Sequence, residues 1–421
     1  MTSSYRGLNL RGLLGTAGAL SMISWLSLAP GGAVTVQPNT PVWFFGERAG
    51  ADAFLNVLFY VPLGLGIGML RVRPLAGVLM GVAVTGTMET LQLGIPGRFT
   101  SYSDVLTNTA GAILGLVIVR TYGSWVNPPW RVASRLAVTS AAMFMSVCLA
   151  SAHLMMPDAP PGTYVGQWTP DLGQYQYPYG GRVLSATIGD VTLGSSTIEE
   201  SDKLQEQLFG TEPLVVSARA AAPPASLSPL FRLVRRKNTT VLSIGVHGDD
   251  LVIEPRLTAA KWRLTRPAFY SPGLIQDVRA GSAFQVQVWK EDAGLCVAVE
   301  NRTDCGLATA FGSGWRLLLD PTPHSPRMIE AITFLWLFIL AFPTGFWLRP
   351  TRGGALAGLL LITGAGLPSV MAGFAVPSSL DWIAIFLGVL FGVSLRKWAG
   401  RSAAPLSRIP RSRAVARGSV T

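Results

Sequence analysis

The stretch "ETLQLGIPGRFTSYSDVLTNTAG", residues 89–111, sits where two apolar runs meet. The run before it, 75–93, and the run after it, 105–119, both read as membrane helices. Glu89, Gln92, Arg98, Asp104 and Asn108 nevertheless cluster at the junction. An ionisable side chain at a helix centre costs roughly 2.5–3.5 kcal/mol on insertion scales, and less near the interface. Polar groups retained against such a cost carry information in their spacing. Glu89 and Gln92 are three residues apart and share a face at the end of one helix. Asp104 and Asn108, four apart, share a face at the start of the next. That face continues through Gly111 and Gly115, a surface small enough for another helix to approach closely. Asp52 and Asn56 repeat the four-residue spacing at the start of the run 53–70, and Arg98 lies in the loop between the polar ends. These side chains are expected to converge at one depth, just under one membrane surface.

Helix capping accounts for part of this pattern. Acids in a first helical turn are favoured by the dipole, which suits Asp52 and Asp104, and Arg98 is a ready ionic partner for either. Capping does not explain Glu89 near a helix C-terminal end, where the dipole disfavours an anion. Nor does it explain Asn56 and Asn108 a turn deeper. A functional polar site is therefore the stronger reading.

The rest of the chain supplies the setting. Its 421 residues are 49% hydrophobic and 14% charged, with a mean hydropathy of +0.39. That is too apolar for an ordinary soluble protein and too long for one domain. Crossing a bilayer as a helix takes about 17–25 apolar residues, and about eight runs qualify or come close. They are 10–28, 53–70, 75–93, 105–119, 136–155, 329–347, 355–374 and 380–395. Arg6 and Arg11 precede the first run as they would a signal peptide, but no clear cleavage site follows, so an uncleaved helix is expected. The net charge of +11 is distributed as an orientation signal. Arg6 and Arg11, Arg71 and Arg73, Arg120, Arg131 and Arg135, Arg349 and Arg352, and the basic tail all fall in alternate connections. One topology puts them all in the cytoplasm together with both termini. The basic excess thus argues for a lipid bilayer as partner, with a tail suited to anionic lipid, and against nucleic acid.

The same topology exports a long polar insert, residues 157–324. Its opening is rich in Pro, Gly and Tyr; short β-type runs follow, including "RVLSATIG", "LFRLVR", "VLSIGVHGDDLVIEP", "AFQVQVWK" and "LCVAVENRTDCGL". Gly248–Asp250 and Asn301–Asp304 are expected at hairpin turns. Cys296 and Cys305 would then face each other across the second hairpin, and an exported domain offers the oxidising compartment a disulfide needs. Many short antiparallel strands in one exported module indicate a sandwich or jelly roll. The fold class expected is thus a polytopic α-helical membrane protein with an extracytoplasmic antiparallel β-sandwich between its fifth and sixth helices. The divisions are 1–41, 42–120, 121–156, 157–324, 325–397 and 398–421.

Asp52-x-x-x-Asn56, Pro62-Leu63-Gly64, Glu89-x-x-Gln92, Arg98 and Asp104-x-x-x-Asn108-x-x-Gly111-x-x-x-Gly115 resemble the VanZ-like family over about 42–120. That family comprises small bacterial membrane proteins named for an accessory factor in teicoplanin resistance. The resemblance implies a bacterial cytoplasmic membrane, a cell-envelope role and a link to glycopeptide resistance. Over about 166–320 the strand pattern resembles concanavalin A-like or laminin-G-like sandwiches, which implies carbohydrate binding. The closely spaced acidic array of that group's hydrolases is missing: Asp249 and Asp250 read as turn residues, Glu291 and Asp292 as a hairpin tip. Trp168, Tyr175, Tyr177, Tyr179, Trp262 and Tyr270 are candidate sugar platforms, with core packing the alternative for each.

Internal comparison sets "SYSDVLTNTAGAILGLVI" on the stretch around Asp381 without gaps. Asp104 then matches Asp381, and Gly111 and Gly115 match Gly388 and Gly392. Asn108 meets Ile385, Glu89 meets Gly366 and Arg98 meets Ala375. A degenerate repeat and chance both remain open. Elsewhere "GLGIG" at 64–68 reads as helix packing, Cys148 as a buried apolar residue, and His153, His247 and His324 are too dispersed for a metal site. No cofactor is expected. Three functions stay open: acid–base chemistry by Glu89 and Asp104 on a lipid-linked or cell-wall glycan substrate with Arg98 holding an anionic group, a non-catalytic envelope scaffold, and a transporter.

Overall fold

The computed structural model describes residues 2–29, 43, 46–95, 98, 100–172, 177–236, 239–291, 294–307, 310–320, 325–372 and 375–403. Tyr175, Asp292, His324 and the basic tail past residue 403, all singled out from the sequence, lie outside the described residues. The helices are α1 (Thr2–Leu28), α2 (Ala49–Met69), α3 (Pro74–Gln92), α4 (Tyr102–Arg120), the single turn α5 (Tyr122–Trp125), α6 (Trp130–Leu154), α7 (Ser201–Gln207), α8 (Pro326–Trp347), α9 (Arg352–Ala372) and α10 (Ser379–Ala403). Each of the expected apolar runs is helical over its described residues, apart from a residue or two at some ends. Seven helices among the described residues, α2, α3, α4, α6, α8, α9 and α10, are long and apolar enough to cross a membrane. The chain is therefore a multi-span membrane protein. α1 fills the remaining run but is not in that set: Arg11 and its Gly, Ser and Thr residues dilute its hydropathy.

Small residues decide how the helices meet. Any Cβ on Gly111 or Gly115 of α4 would strike the carbonyls of Val57 and Val61 in α2, and one on Gly64 of α2 would strike that of Ala112 in α4. Those backbones touch because side chains are missing, the packing mode available where lipid removes the hydrophobic drive. A Cβ on Gly66 of α2 would meet Thr16 of α1 at 2.6 Å, so α1 rides on the same helix. Ile23, Tyr60, Leu63, Ile67, Met88 and Leu116 close the core of this first bundle. α6, α8, α9 and α10 form a second, around Phe144, Leu337, Ala341, Leu361 and Ile385. There Gly388 and Gly392 of α10 meet the carbonyls of Phe338 and Phe342 in α8, and Gly345 of α8 meets that of Val389. The spacing is that of α4 on α2, residue for residue. Each of α2 and α8 also carries an internal proline two positions before the returning glycine, Pro62 and Pro343.

The insert is a two-sheet antiparallel sandwich. Its strands are β1 (Tyr164–Trp168), β2 (Arg182–Ile188), β3 (Val191–Thr192), β4 (Leu214–Arg219), β5 (Ser228–Arg235), β6 (Thr239–His247), β7 (Asp250–Pro255), β8 (Phe269–Ser271), β9 (Ala283–Glu291), β10 (Gly294–Val299) and β11 (Arg302–Leu307). One sheet runs β1-β5-β6-β7-β8 and the other β11-β10-β9-β4-β2-β3. Alternating residues such as Leu233, Ile244, Ile253, Val216, Val286 and Val297 fill the space between them. Both expected hairpins form, with tighter turns than the sequence suggested. His247 pairs with Asp250, leaving Gly248 (φ +60°) and Asp249 as the turn. Val299 pairs with Arg302, so Glu300 and Asn301 turn the second hairpin and Asp304 lies within β11. Cys296 and Cys305 are a cross-strand pair in that hairpin and are joined as a disulfide.

The sandwich is seated on the helices. Met155 and Ala152 at the end of α6 pack with Leu257, Ala259 and Leu317 of the insert. Asp158 accepts from Arg256 at 3.0 Å and Lys261 at 2.9 Å, fixing the chain as it leaves the membrane. The start of α2 has no side-chain N-cap; instead the amides of Gly50 and Ala51 donate to the carbonyl of Arg263 in the sandwich, at 3.0 and 3.3 Å. Glu47 pairs with Arg266 beside it. Four orphan amides at a helix start need acceptors, and here another domain provides one.

Candidate functional site

Helix direction sets the site. α2 and α4 begin, and α1 and α3 end, at the same end of the first bundle, which is the end carrying the sandwich. A cavity of about 400 Å³ opens there, and Asp52, Asn56, Glu89, Gln92, Arg98, Asp104 and Asn108 all line it. The residues selected by spacing are brought together. Leu26 and Ser27 of α1, Ala49, Phe59, Tyr60, Ser101 and Ser103 complete the wall. Asp52 is exposed at the mouth, whereas Glu89 (6% exposed) and Asn108 (3%) lie at the buried floor.

Hydrogen bonds assign a structural task to several of these groups. Glu89 sits near the end of its own helix, but its Oε2 accepts from the amide of Ser101 at 3.1 Å, at the N-cap of α4. The carboxylate that seemed misplaced on α3 thus faces the favourable end of the α4 dipole. Thr100 Oγ1 adds a bond to the Glu89 carbonyl at 3.1 Å. Asn56 Nδ2 donates to Asp104 Oδ1 at 3.1 Å, tying α2 to α4 above their glycine contact. Ser101 and Ser103 share a hydroxyl bond of 2.6 Å.

Gln92 and Arg98 secure α1. Gln92 Nε2 donates to the carbonyl of Ser27 at 3.0 Å. Arg98 donates through Nε to the carbonyl of Ala29 at 2.9 Å and through Nη2 to that of Leu26 at 2.7 Å. A cation and an amide there satisfy the last carbonyls of a helix and complement its negative end. Sequence reasoning missed this role because the acceptors are backbone carbonyls and leave no residue signature. It also missed α1 as a wall of the site, and Tyr60, whose ring is buried in the first bundle's core.

One atom has no such task. Asn108 Oδ1 is buried, lines the cavity and has no hydrogen-bond partner. Buried acceptors in native proteins nearly always have one, and leaving one bare costs about 1–3 kcal/mol. Among the described residues, the trio of acidic, Cys and His ligand atoms lying within 4.8 Å of one another is not in the pocket; it is Glu291, Cys296 and Cys305, in the hairpin that carries the disulfide.

The aromatic candidates of the sandwich separate. Tyr179 is core and Trp168 packs against it, with its Nε1 on the Leu193 carbonyl at 3.0 Å. Trp262 is 68% exposed but lies at the seat over α2, where Gly50 abuts its carbonyl. Tyr270 is half-buried on β8, and Tyr177 stands 74% exposed. Asp250 Oδ1 accepts from the amide of Gly273 at 2.9 Å, a loop-holding contact.

Fold and site together define a polytopic membrane protein with a polar cavity at one membrane face and a β-sandwich seated beside it. Its first bundle is similar to the VanZ family: the VanZ/LLP1 family model matches residues 15–123. The match begins inside α1, ahead of the 42–120 expected from sequence, in keeping with α1 forming a wall of the cavity. No curated protein and no solved structure matches the chain significantly.

Proposed function

We propose that the cavity is the working site of a VanZ-like cell-envelope protein and takes a polar envelope component from the extracytoplasmic face. The observation that carries this is the convergence of seven spaced polar side chains on one cavity whose floor holds an unpaired acceptor, Asn108 Oδ1. Orientation follows from charge. Arg71, Arg73, Arg120, Arg131, Arg349 and Arg352 lie at the bundle ends opposite the cavity, where Trp347 Nε1 meets the Trp125 carbonyl at 2.6 Å and Ser134 meets Thr351 at 3.0 Å. The positive-inside rule supports reading that end as cytoplasmic, and the family resemblance supports a bacterial inner membrane, with the cavity, sandwich and disulfide outside. Glu89 and Asp104 are the acid–base candidates if chemistry occurs. The sandwich is the envelope-glycan module above them, with Tyr177 as its exposed platform.

The test is glycopeptide and envelope-stress susceptibility in a deletion strain carrying wild type or Glu89→Gln, with membrane levels checked by blot. A mutant that is present yet fails like the empty vector supports the pocket. Full complementation removes the acid–base role. A second, non-catalytic reading is favoured by the capping bonds of Glu89, Gln92 and Arg98: the cavity binds and holds its component without turnover. The bundle of α8, α9 and α10 is, in the same proposal, a degenerate copy of the first. What supports it is the shared glycine register and the Pro62/Pro343 pair. The positions matching Asn56 and Asn108 are Leu337 and Ile385, and the segment Phe311–Leu317 lies over them: a Cβ on Gly312 would meet Thr333, Leu337 and Asp381 within 3.5 Å. One site per chain is expected.

A further inference from the structure

A second cavity, of about 430 Å³, adjoins the first along the lipid-facing side of α1 and α2. Met22, Leu55, Leu58, Phe59 and Pro62 line it, and it shares Asn56 and Phe59 with the polar cavity. Its walls are apolar apart from Asn56, and Leu58 and Pro62 are exposed. Pro62 contributes directly, because it has no amide to give to the carbonyl of Leu58 one turn earlier, and a helix loosens at such a point. A polar chamber thus lies beside an apolar groove at membrane depth, with Asn56 and Phe59 lining both. The chamber offers more acceptors than donors: Asp52, the second oxygens of Glu89 and Asp104, and Asn108 Oδ1, while Arg98 bonds the end of α1. Acceptor-lined sites of net negative charge select ligands bearing N–H groups, and an ammonium above all.

From this geometry we infer that the site takes a membrane lipid whole, with an amine-bearing head group among Asp52, Glu89, Asp104 and Asn108 and one chain in the groove beside Leu58 and Pro62. This deepens the proposed function and rests on its reading of the cavity as the working site. A bare cation is the poorer match, since among the described residues no three acidic, Cys or His ligand atoms of the cavity lie within 4.8 Å of one another. A soluble sugar would leave the groove without purpose.

The full chain is reconstituted in nanodiscs containing a trace of phosphatidylethanolamine with a photoreactive acyl chain, and in parallel the matched phosphatidylglycerol. Peptides spanning 19–28 and 53–63 are then assayed for crosslinks by mass spectrometry. The amine lipid should label them on the order of tenfold more than its anionic counterpart, the ratio expected for one charge-assisted contact. Asn108→Leu, or Asp52→Asn at the exposed mouth should the first fail to fold, should abolish the head-group preference. Leu58→Trp should block labelling for both lipids, and Leu359→Trp on the exposed face of α9 should change nothing. Equal labelling by the two lipids, preference for the anionic one, or indifference to Leu58→Trp overturns the inference. Such a result combined with failed complementation by Glu89→Gln would leave the proposed function standing, so the two ideas fail separately.

Discussion

Asn108 is the residue where stability and function part. Its Oδ1 lies buried without a partner at the cavity floor, and an orphan of that kind costs about 1–3 kcal/mol. Leucine also has the higher helix propensity. Asn108→Leu is therefore expected to raise thermal stability in detergent, by about 1 kcal/mol, while failing to complement. A fall in stability would show that the amide holds the helices together instead. Glu254 poses a separate, pH-dependent case in the sandwich. On the outer face of β7 it sits near Arg266, Arg232, Ser243 and Asp320, and burial pushes its carboxyl above the ordinary value of 4.5 despite the two arginines. A folded value above the unfolded one means that the native state holds the proton longer. Stability then falls as pH rises from the ordinary carboxylate range through the raised folded value. Glu254→Gln should flatten that decline in melting curves collected across mildly acidic to neutral pH, and an unchanged slope would assign the pH dependence to another group.

At the scale of elements, the β10–β11 hairpin provides the simplest test. The disulfide from Cys296 to Cys305 spans nine positions, and closing so short a loop is worth ~2.5 kcal/mol on the chain-entropy account. Cys296→Ser with Cys305→Ser should lower sandwich stability by about that amount, and reductant should have the same effect on wild type but none on the double variant. Indifference of the wild type to reductant would show that the bridge contributes nothing. The elements themselves were unequally legible in sequence. β2, β5, β6, β7, β9, β10 and β11 announce themselves by alternation. β1, with Gln167 and Trp168 inside a Pro-, Gly- and Tyr-rich opening, does not, and β4, β8 and the helix α7 also escaped. In the bundles, the acid and amide spacings disclosed one face each on α2, α3 and α4, because a polar group in an apolar run stands out. The role of α1 was illegible, since its contribution to the site is backbone oxygen from Leu26, Ser27 and Ala29. The Pro62/Pro343 correspondence was present in the sequence. It gained weight only once Gly64 and Gly345 were seen making the same backbone contact.

For the whole molecule, the question is whether the two bundles behave as one body. The sandwich touches both. It supplies the carbonyl of Arg263 to the start of α2, and its exit segment inserts Phe311 into the core of the second bundle, where Trp315 Nε1 bonds Thr333 Oγ1 at 3.0 Å. Phe311 is 1% exposed. Phe311→Ala should cost about 3–5 kcal/mol, the range for truncating a buried aromatic ring. Where that cost appears is the informative part. If the bundles open independently, hydrogen exchange should rise in α8 and α10 and stay unchanged in α2 and α4, because the glycine contacts of the first bundle do not involve the exit segment. Exchange rising equally in all four helices would instead make the molecule one cooperative unit. In that case a ligand in the polar cavity would stabilise the second bundle as well as its own.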